Sequence, residues 1–337
     1  MISLLDCTLR DGGYINNWRF NEEFVHRFSE ISNHTVDYVE IGFINKTNKY
    51  RGQIVGGPRL LDVNQINAFS KYTFKKVVMA DFNDIDMDIL NENIDIDLVR
   101  VAFHKHELVA ALETCKEVKD MGYRVSVNAM AITNYTNSEL EVLFDFINTH
   151  HLDILYVADS YGSLHQHDMK HYLDILDSNL HAKCEIGFHL HNNMNNAYGN
   201  YEYLTHASKG MKRNIIVDST LFGMGRGAGN LQTELAVMNE NTNIDFKKII
   251  DMLVFIQDYI KPIYKSSENT WGYDVDYLLS GYLKMHPNFI TVMRDLDISM
   301  KNRFFLIEKM IETKMDYHYF DKETITQLIE GYKQFCI

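Results

Sequence analysis

Short apolar, β-branched runs alternate along this chain with longer stretches whose apolar positions recur at helical spacing. The runs predict strands over Ile2 to Leu5, Val36 to Ile41, Lys76 to Asp81, Leu98 to Phe103, Arg124 to Ala129, Ile154 to Ala158, Cys184 to His189 and Asn214 to Asp218. Between them the helical pattern is clearest over Glu107 to Met121 and Ser138 to His150. Most strand starts are about 30 residues apart, the size of a strand plus its crossover helix; the interval from Lys76 to Leu98 is tighter. Eight such units predict an α/β fold, a (β/α)8 TIM barrel, ahead of a doubly wound open sheet. Past Glu234 the strand signal stops, and helical periodicity predicts Phe246 to Tyr259, Val275 to Leu283, Lys301 to Lys314 and Lys322 to Phe335. The expected organisation is a barrel catalytic domain over 1–240 and a C-terminal helical region over 241–337, with no linker rich in Gly, Ser or Pro between them.

Composition narrows the class of partner. The chain has 337 residues, and 46 acidic against 33 basic side chains give a formal net charge of -13. That balance argues against nucleic acid, whose binding draws on Lys and Arg neutralising phosphates, but not against a small anionic substrate. No apolar run approaches the ~18 residues of a membrane span, and no basic segment precedes an apolar one at the N-terminus. Cys7, Cys115, Cys184 and Cys336 are far apart, without a C-x-x-C pair, and read as small core residues. A cytoplasmic protein is the expectation.

In a barrel, chemistry collects where strands end and βα loops begin. The seventh strand reads Glu185-Ile186-Gly187-Phe188-His189-Leu190-His191. Period-two alternation sends Ile186, Phe188 and Leu190 toward the helices and His189 with His191 into the barrel mouth. Two imidazoles on one face suit a divalent cation; a hydrogen-bonded histidine pair in a polar pocket is the plainer alternative. The first strand leads into Leu9-Arg10-Asp11-Gly12-Gly13, where Asp11 would complete a His₂-carboxylate set with open positions for substrate. Arg10 beside it is a fixed positive charge of the kind that stabilises an enolate. Glu40, flanked by the outward Val39 and Ile41, should point into the barrel, and a buried carboxylate there demands a partner, with Arg10 the nearest candidate. The segment after the eighth strand, Gly223-Met224-Gly225-Arg226-Gly227-Ala228-Gly229-Asn230, lacks the context of a dinucleotide site. Its backbone at Gly227 can approach a small ligand, and Asn230 could offer an amide oxygen to the metal or simply cap a helix. The sixth and seventh strands carry no lysine for Schiff-base chemistry, so carbon-acid chemistry here requires a metal.

Taken together these residues resemble the DRE-TIM metallolyase superfamily, which includes 3-hydroxy-3-methylglutaryl-CoA lyase and 4-hydroxy-2-oxovalerate aldolase. The resemblance covers roughly residues 2 to 234. It is carried by Asp6-Cys7-Thr8-Leu9-Arg10-Asp11-Gly12, Glu40 with Gly42, Asp159-Ser160-Tyr161-Gly162, His189-x-His191-Asn192 and Gly227-Ala228-Gly229-Asn230. It implies Asp11, His189 and His191 as metal ligands with Asn230 as an additional candidate, Arg10 as the enolate-stabilising residue and Glu40 as its structural partner; an Asp with open water positions favours the harder ions Mn²⁺ or Mg²⁺ as the cofactor. Asp159 falls at a position lining the mouth, and Asn128 and Tyr277 join Gly227 as expected substrate contacts. The form Thr-Leu-Arg-Asp-Gly is most similar to the 4-hydroxy-2-oxovalerate aldolase branch, which implies cleavage or formation of a carbon-carbon bond in a 4-hydroxy-2-oxo acid through a pyruvate-type enolate. A Claisen-type acyltransferase joining acyl-CoA to a 2-oxo acid, or a metal-binding barrel without catalysis, are the alternatives.

One position departs from that branch: Tyr14 stands where it has a histidine three residues after the metal aspartate. Tyrosine, with an ordinary pKa near 10, is a weak base at neutral pH. Replacement candidates are Tyr14 itself, His104 or His106, and Tyr277 or Tyr282. The expected partners are a small 2-oxo acid and a second copy of the chain. The C-terminal region resembles the branch only loosely, so the dehydrogenase partner of those aldolases is not expected to carry over.

Overall fold

In the computed structural model, which describes residues 1–47, 49–50, 53–92, 94–240, 244–266 and 271–332, eight parallel strands close into a barrel. They are β1 (Ile2–Asp6), β2 (Tyr38–Phe43), β3 (Lys75–Asp81), β4 (Leu98–Phe103), β5 (Val125–Ala129), β6 (Ile154–Asp159), β7 (Glu185–Leu190) and β8 (Ile215–Ser219). β1 pairs with β8 on one side and β2 on the other, which closes the ring. Each strand falls on a predicted run. β2 starts later than expected because Val36 and Asp37 finish the preceding turn: the Val36 N–H donates to the Ser32 carbonyl, and the Asp37 carboxylate accepts from the Leu4 N–H. The tight third interval holds a helix of only five residues, α1 (Met87–Asn91), before β4.

Alternation along the strands sorts the barrel into an outer apolar layer and an inner stack. Val39, Ile41, Val99, Val101, Ile186, Phe188 and Leu190 pack outward against the helices. Leu5, Tyr38, Val77, Leu98, Tyr156 and Ile216 form an apolar floor inside. One residue pair further along, the interior turns charged, with Glu40, Arg100, Asp218 and His189 all buried. The charged layer lies at the C-terminal ends of the strands, where βα loops build binding sites in barrels.

The expected C-terminal region divides by packing. Helix α2 (Phe246–Phe255) runs through a wider turn, Ile256–Ile260, into Lys261–Ser266, and it belongs to the barrel's own cluster through Met252, Phe255, Ile256 and Ile260. Phe255 meets Phe24 with ring centroids 5.1 Å apart. Helices α3 (Val275–Tyr282), α4 (Asn288–Asp295), α5 (Met300–Glu312) and α6 (Lys322–Gly331) enclose a second apolar cluster around Tyr277, Phe289, Met293, Leu306 and Ile325. Buried Asp276 ties this cluster together, accepting from Arg294 and Arg303 at 2.7 and 2.6 Å. Helix α4 was not expected from the pattern, since its Ile290-Thr291-Val292 run has low helix propensity; the seating of Phe289, Ile290 and Met293 in the cluster overrides it. The last residues of the predicted helix, 333–335, and Cys336 lie outside the described residues. Cys7, Cys115 and Cys184 are buried and unpaired. Among the described residues no helix is long and apolar enough to cross a membrane.

Candidate metal centre and cavity

The side chains of Asp11, His189 and His191 converge, each placing one ligand-type atom within 4.8 Å of the others. His189 comes from the inner face of β7, His191 from just beyond its end, and Asp11 from the loop after β1. Each imidazole is fixed through Nδ1. That of His189 bonds Asp218 Oδ2 at 2.8 Å, and that of His191 bonds the Asp159 carbonyl at 2.8 Å. With Nδ1–H donating to those oxygens, Nε2 carries the lone pair that a cation would take, the usual arrangement of ligating histidines. Burial, with His189 next, pushes the His191 imidazole down to about 3. Burial would raise the Asp11 carboxyl, but Arg10, then His189, His191 and Arg226, hold it well below the usual carboxylate range. The donor set is therefore a neutral imidazole at His191 and an ionised carboxylate at Asp11.

Asn230 completes the cluster. Its Nδ2 donates to Asp11 Oδ2 at 2.6 Å, which turns the amide across the carboxylate. Its Oδ1 is buried and, among the described residues, has no hydrogen-bond partner, a costly position for a carbonyl oxygen unless something binds it. Gly225 makes the approach of this loop possible: a Cβ there would lie 2.4 Å from Asn230 Nδ2 and 2.9 Å from Asp11 Oδ2. Two imidazoles, a carboxylate and an orphaned amide oxygen fit a divalent cation. A second grouping, Cys7, His189 and Asp218, is already spent: Asp218 accepts from Arg100, His189 and Tyr156, and Cys7 Sγ donates to the Ser219 carbonyl.

Behind the cluster runs a buried ionic chain. Arg10 donates through Nη1 to Asp11 and through Nε to Glu40, both at 2.6 Å, so the pairing of Glu40 with Arg10 is as expected. Arg100, on the inner face of β4, then links Glu40 Oε1 at 3.0 Å to Asp218 Oδ2 at 2.6 Å. Its guanidinium lies over the Tyr156 ring, 4.1 Å from the centroid. Arg100 and Asp218 were missed in the sequence, although the alternation that singled out Glu40 applies to Val99-Arg100-Val101 and Val217-Asp218-Ser219 as well. Asn128, on β5, sits against this chain. With its amide oxygen toward Arg100 it accepts from Nη2 at 3.0 Å and donates to Ser126 Oγ at 2.6 Å.

A cavity of about 120 Å³ opens beside the donor atoms, lined by Arg10, Asp11, Tyr14, Asn128, His189 and His191 among the expected residues. Arg226 covers the Tyr14 ring, its guanidinium carbon 4.1 Å from the centroid. The roof comes from the C-terminal helices and their loops: His286, Pro287, His318 and Tyr319. These were not legible as site residues, because nothing in their local pattern ties them to a barrel mouth far away in sequence.

Three expected contacts are corrected. Tyr277 is buried in the second cluster, with Arg294 over its ring, and does not line the cavity. Gly227 holds a turn at φ +64 and packs toward Tyr277 and Pro287, while its neighbour Arg226 faces the cavity. The Asp159 carboxylate turns away to accept from the Ser163 and Leu164 N–H groups, and burial raises it to about 6; its carbonyl, bonded to His191, is its link to the site. Tyr282 is 72% exposed on the outer surface, which removes it from the candidates for a base.

The family model described as HMGL-like matches residues 1–256 of this chain. Among curated proteins, the 4-hydroxy-2-oxovalerate aldolase of Bacillus thuringiensis (strain Al Hakam) is 24% identical over 299 residues, covering 86% of this chain and 84% of that protein. The protein of the same name from Bacillus cereus (strain ATCC 10987 / NRS 248) is 26% identical over 261 residues, 74% of each chain. Among solved structures, the N-terminal domain of a proposed aldolase from Bacteroides vulgatus superposes with a TM-score of 0.75 at 27% identity, covering 89% of this chain and 98% of that one. The HMG-CoA lyase of Bacillus subtilis shares the fold at a TM-score of 0.60 and 15% identity, over 79% of this chain and 95% of that one.

Proposed function

Because the chain belongs to the HMGL-like family, we propose that it is a divalent-metal-dependent carbon-carbon lyase of the aldolase type, acting on a 4-hydroxy-2-oxo acid through a pyruvate enolate. The observation that carries this reading is the convergence of Asp11, His189 and His191 on one point beside Arg10, with the partnerless Asn230 Oδ1 in the same cluster. Those four residues would hold the cation, with Mn²⁺ or Mg²⁺ suited to a set containing hard oxygen donors. When bound, the cation supplies Lewis-acid polarisation of the substrate's keto oxygen.

The chain's own groups account for the rest. Arg10 is held by Glu40 and Asp11, so its charge is fixed before substrate arrives and costs no reorganisation when negative charge develops on the enolate oxygen. Arg100 pairs with both Glu40 and Asp218, and Asp218 in turn fixes the tautomer and orientation of His189. Asn128 offers its amide at the cavity wall. A short hydroxy-oxo acid would sit in the cavity beside these groups. Apolar Phe43, Met79, Ala102 and Met130 line the remaining wall and suit the aldehyde end of such a molecule. The test is pyruvate release from 4-hydroxy-2-oxovalerate by metal-stripped and Mn²⁺-reloaded protein; the reading expects activity only in the second and fails if the two are equal.

A further inference from the structure

With Tyr14 in place of the branch's histidine, the hydroxyl proton of a 4-hydroxy-2-oxo acid needs another acceptor, and the cavity wall holds five imidazoles to choose from. Four are engaged through a ring nitrogen: His189 with Asp218, His191 with the Asp159 carbonyl, His286 with the Asn288 N–H and His318 with the Lys284 carbonyl. His104, half-buried just past the end of β4, is different. Its backbone is pinned on both sides, the N–H donating to Glu107 Oε2 at 2.8 Å and the carbonyl accepting from the Glu107 N–H at 2.9 Å. Among the described residues its ring nitrogens make no hydrogen bond to another side chain. His104 lines the same cavity as Asp11, His189 and His191.

Its surroundings favour a neutral, proton-accepting imidazole. The groups facing it are Asp81 at the end of β3, His106 and Glu107 on its own loop, Arg226 on the loop after β8, and Tyr319 from the C-terminal region. Burial lowers its proton affinity, with His106 and Arg226 adding to that and Glu107 and Asp81 opposing it. Asp81 lines the same cavity, and its Oδ2 accepts from Asn45 at 2.9 Å and Arg59 at 2.5 Å. Tyr319 sets the edge of its ring against His104, with centroids 6.5 Å apart, and its buried hydroxyl has no hydrogen-bond partner among the described residues. A substrate hydroxyl placed between the two would meet an acceptor and a donor.

Resting on the lyase reading above, we propose that His104 takes the proton from the substrate's 4-hydroxyl group. As the imidazole nitrogen accepts that proton, the O–H electron pair becomes the aldehyde C=O. The C3–C4 bond breaks, and its pair passes through C2–C3 to the keto oxygen as the enolate. Water then protonates C3, and the imidazolium neutralises the hydroxide left behind. The hydroxy-oxo acid becomes pyruvate plus aldehyde with no other reactant.

Oxaloacetate separates this role from a structural one, because losing CO₂ from it forms the same enolate with no hydroxyl proton to remove. His104→Asn, assayed with Mn²⁺, should cut cleavage of 4-hydroxy-2-oxovalerate by about 10²–10⁴-fold, while oxaloacetate decarboxylation stays within about threefold and the acid limb of the cleavage pH profile disappears. The metal-free variant should melt at the temperature of the metal-free wild type. Cleavage at the wild-type rate, or loss of both reactions together, overturns the assignment. Failure of the lyase reading looks different: the wild type itself then yields pyruvate from neither compound.

Discussion

The most informative residue in this chain is Asp218, which touches no expected ligand position except through His189. Its carboxylate takes Arg100 and His189 on one oxygen and Tyr156 on the other, and so decides which nitrogen of His189 is left for a cation. Asp218→Asn should weaken Mn²⁺ binding by about 10–100-fold while leaving all four proposed ligands in place; calorimetric titration of the metal into the variant checks this. Arg100 poses the complementary case. Removing a cation shared by two buried carboxylates leaves charge uncompensated, so Arg100→Leu should lose about 3–5 kcal/mol in chemical denaturation. Glu40 and Arg10 were readable from alternation and adjacency of strands. Arg100 and Asp218 obeyed the same alternation but stand on strands that are distant in sequence, and their partners become visible only when the ring closes.

Among elements, the loop from Leu221 to Asn230 has the most to hold. It presents Arg226 to the cavity and Asn230 to the Asp11 carboxylate, and it carries Phe222 at φ +57. Buried Glu234 braces it by accepting from the Phe222 N–H at 2.9 Å, and Asp6 bonds Thr233 below. Burial raises Glu234 to about 7 and Asp6 to about 6. For a carboxyl raised on folding, the native state prefers the protonated form, so its stabilising effect is full below the unfolded pKa and is lost as pH climbs through the folded one. The wild type should therefore lose on the order of 2–3 kcal/mol between pH 5 and 8 from Glu234, and Glu234→Gln should flatten that part of a thermal-melting profile. A slope unchanged in the variant would remove Glu234 as its source. Strand positions were legible because β-branched runs must lie between helices; the seating of this loop was not, since it depends on contacts with β1 and on the close approach of Gly225 to Asp11 and Asn230, which the local pattern does not show.

For the whole molecule, the division of labour follows packing rather than chain order. The barrel supplies the proposed cation ligands and the ionic chain behind them, and the second apolar cluster positions His286, His318 and Tyr319 over the mouth. The repeat of eight strands predicted the first part. The roof escaped because helical periodicity states which face is buried, not where the helix docks. The excess negative charge is compatible with an anionic substrate because Arg10, Arg100 and Arg226 face the cavity together against Asp11 and Asp81. The central claim, that Asp11 with His189, His191 and Asn230 holds the cation needed for carbon-carbon cleavage, is tested most directly by Mn²⁺-dependent pyruvate release from 4-hydroxy-2-oxovalerate in the wild type and in Asp11→Asn. Activity that is absent after chelation, returns with Mn²⁺ and falls at least about 100-fold in the variant is the predicted result; cleavage that survives chelation, or an Asp11→Asn protein as active as the wild type, would contradict it.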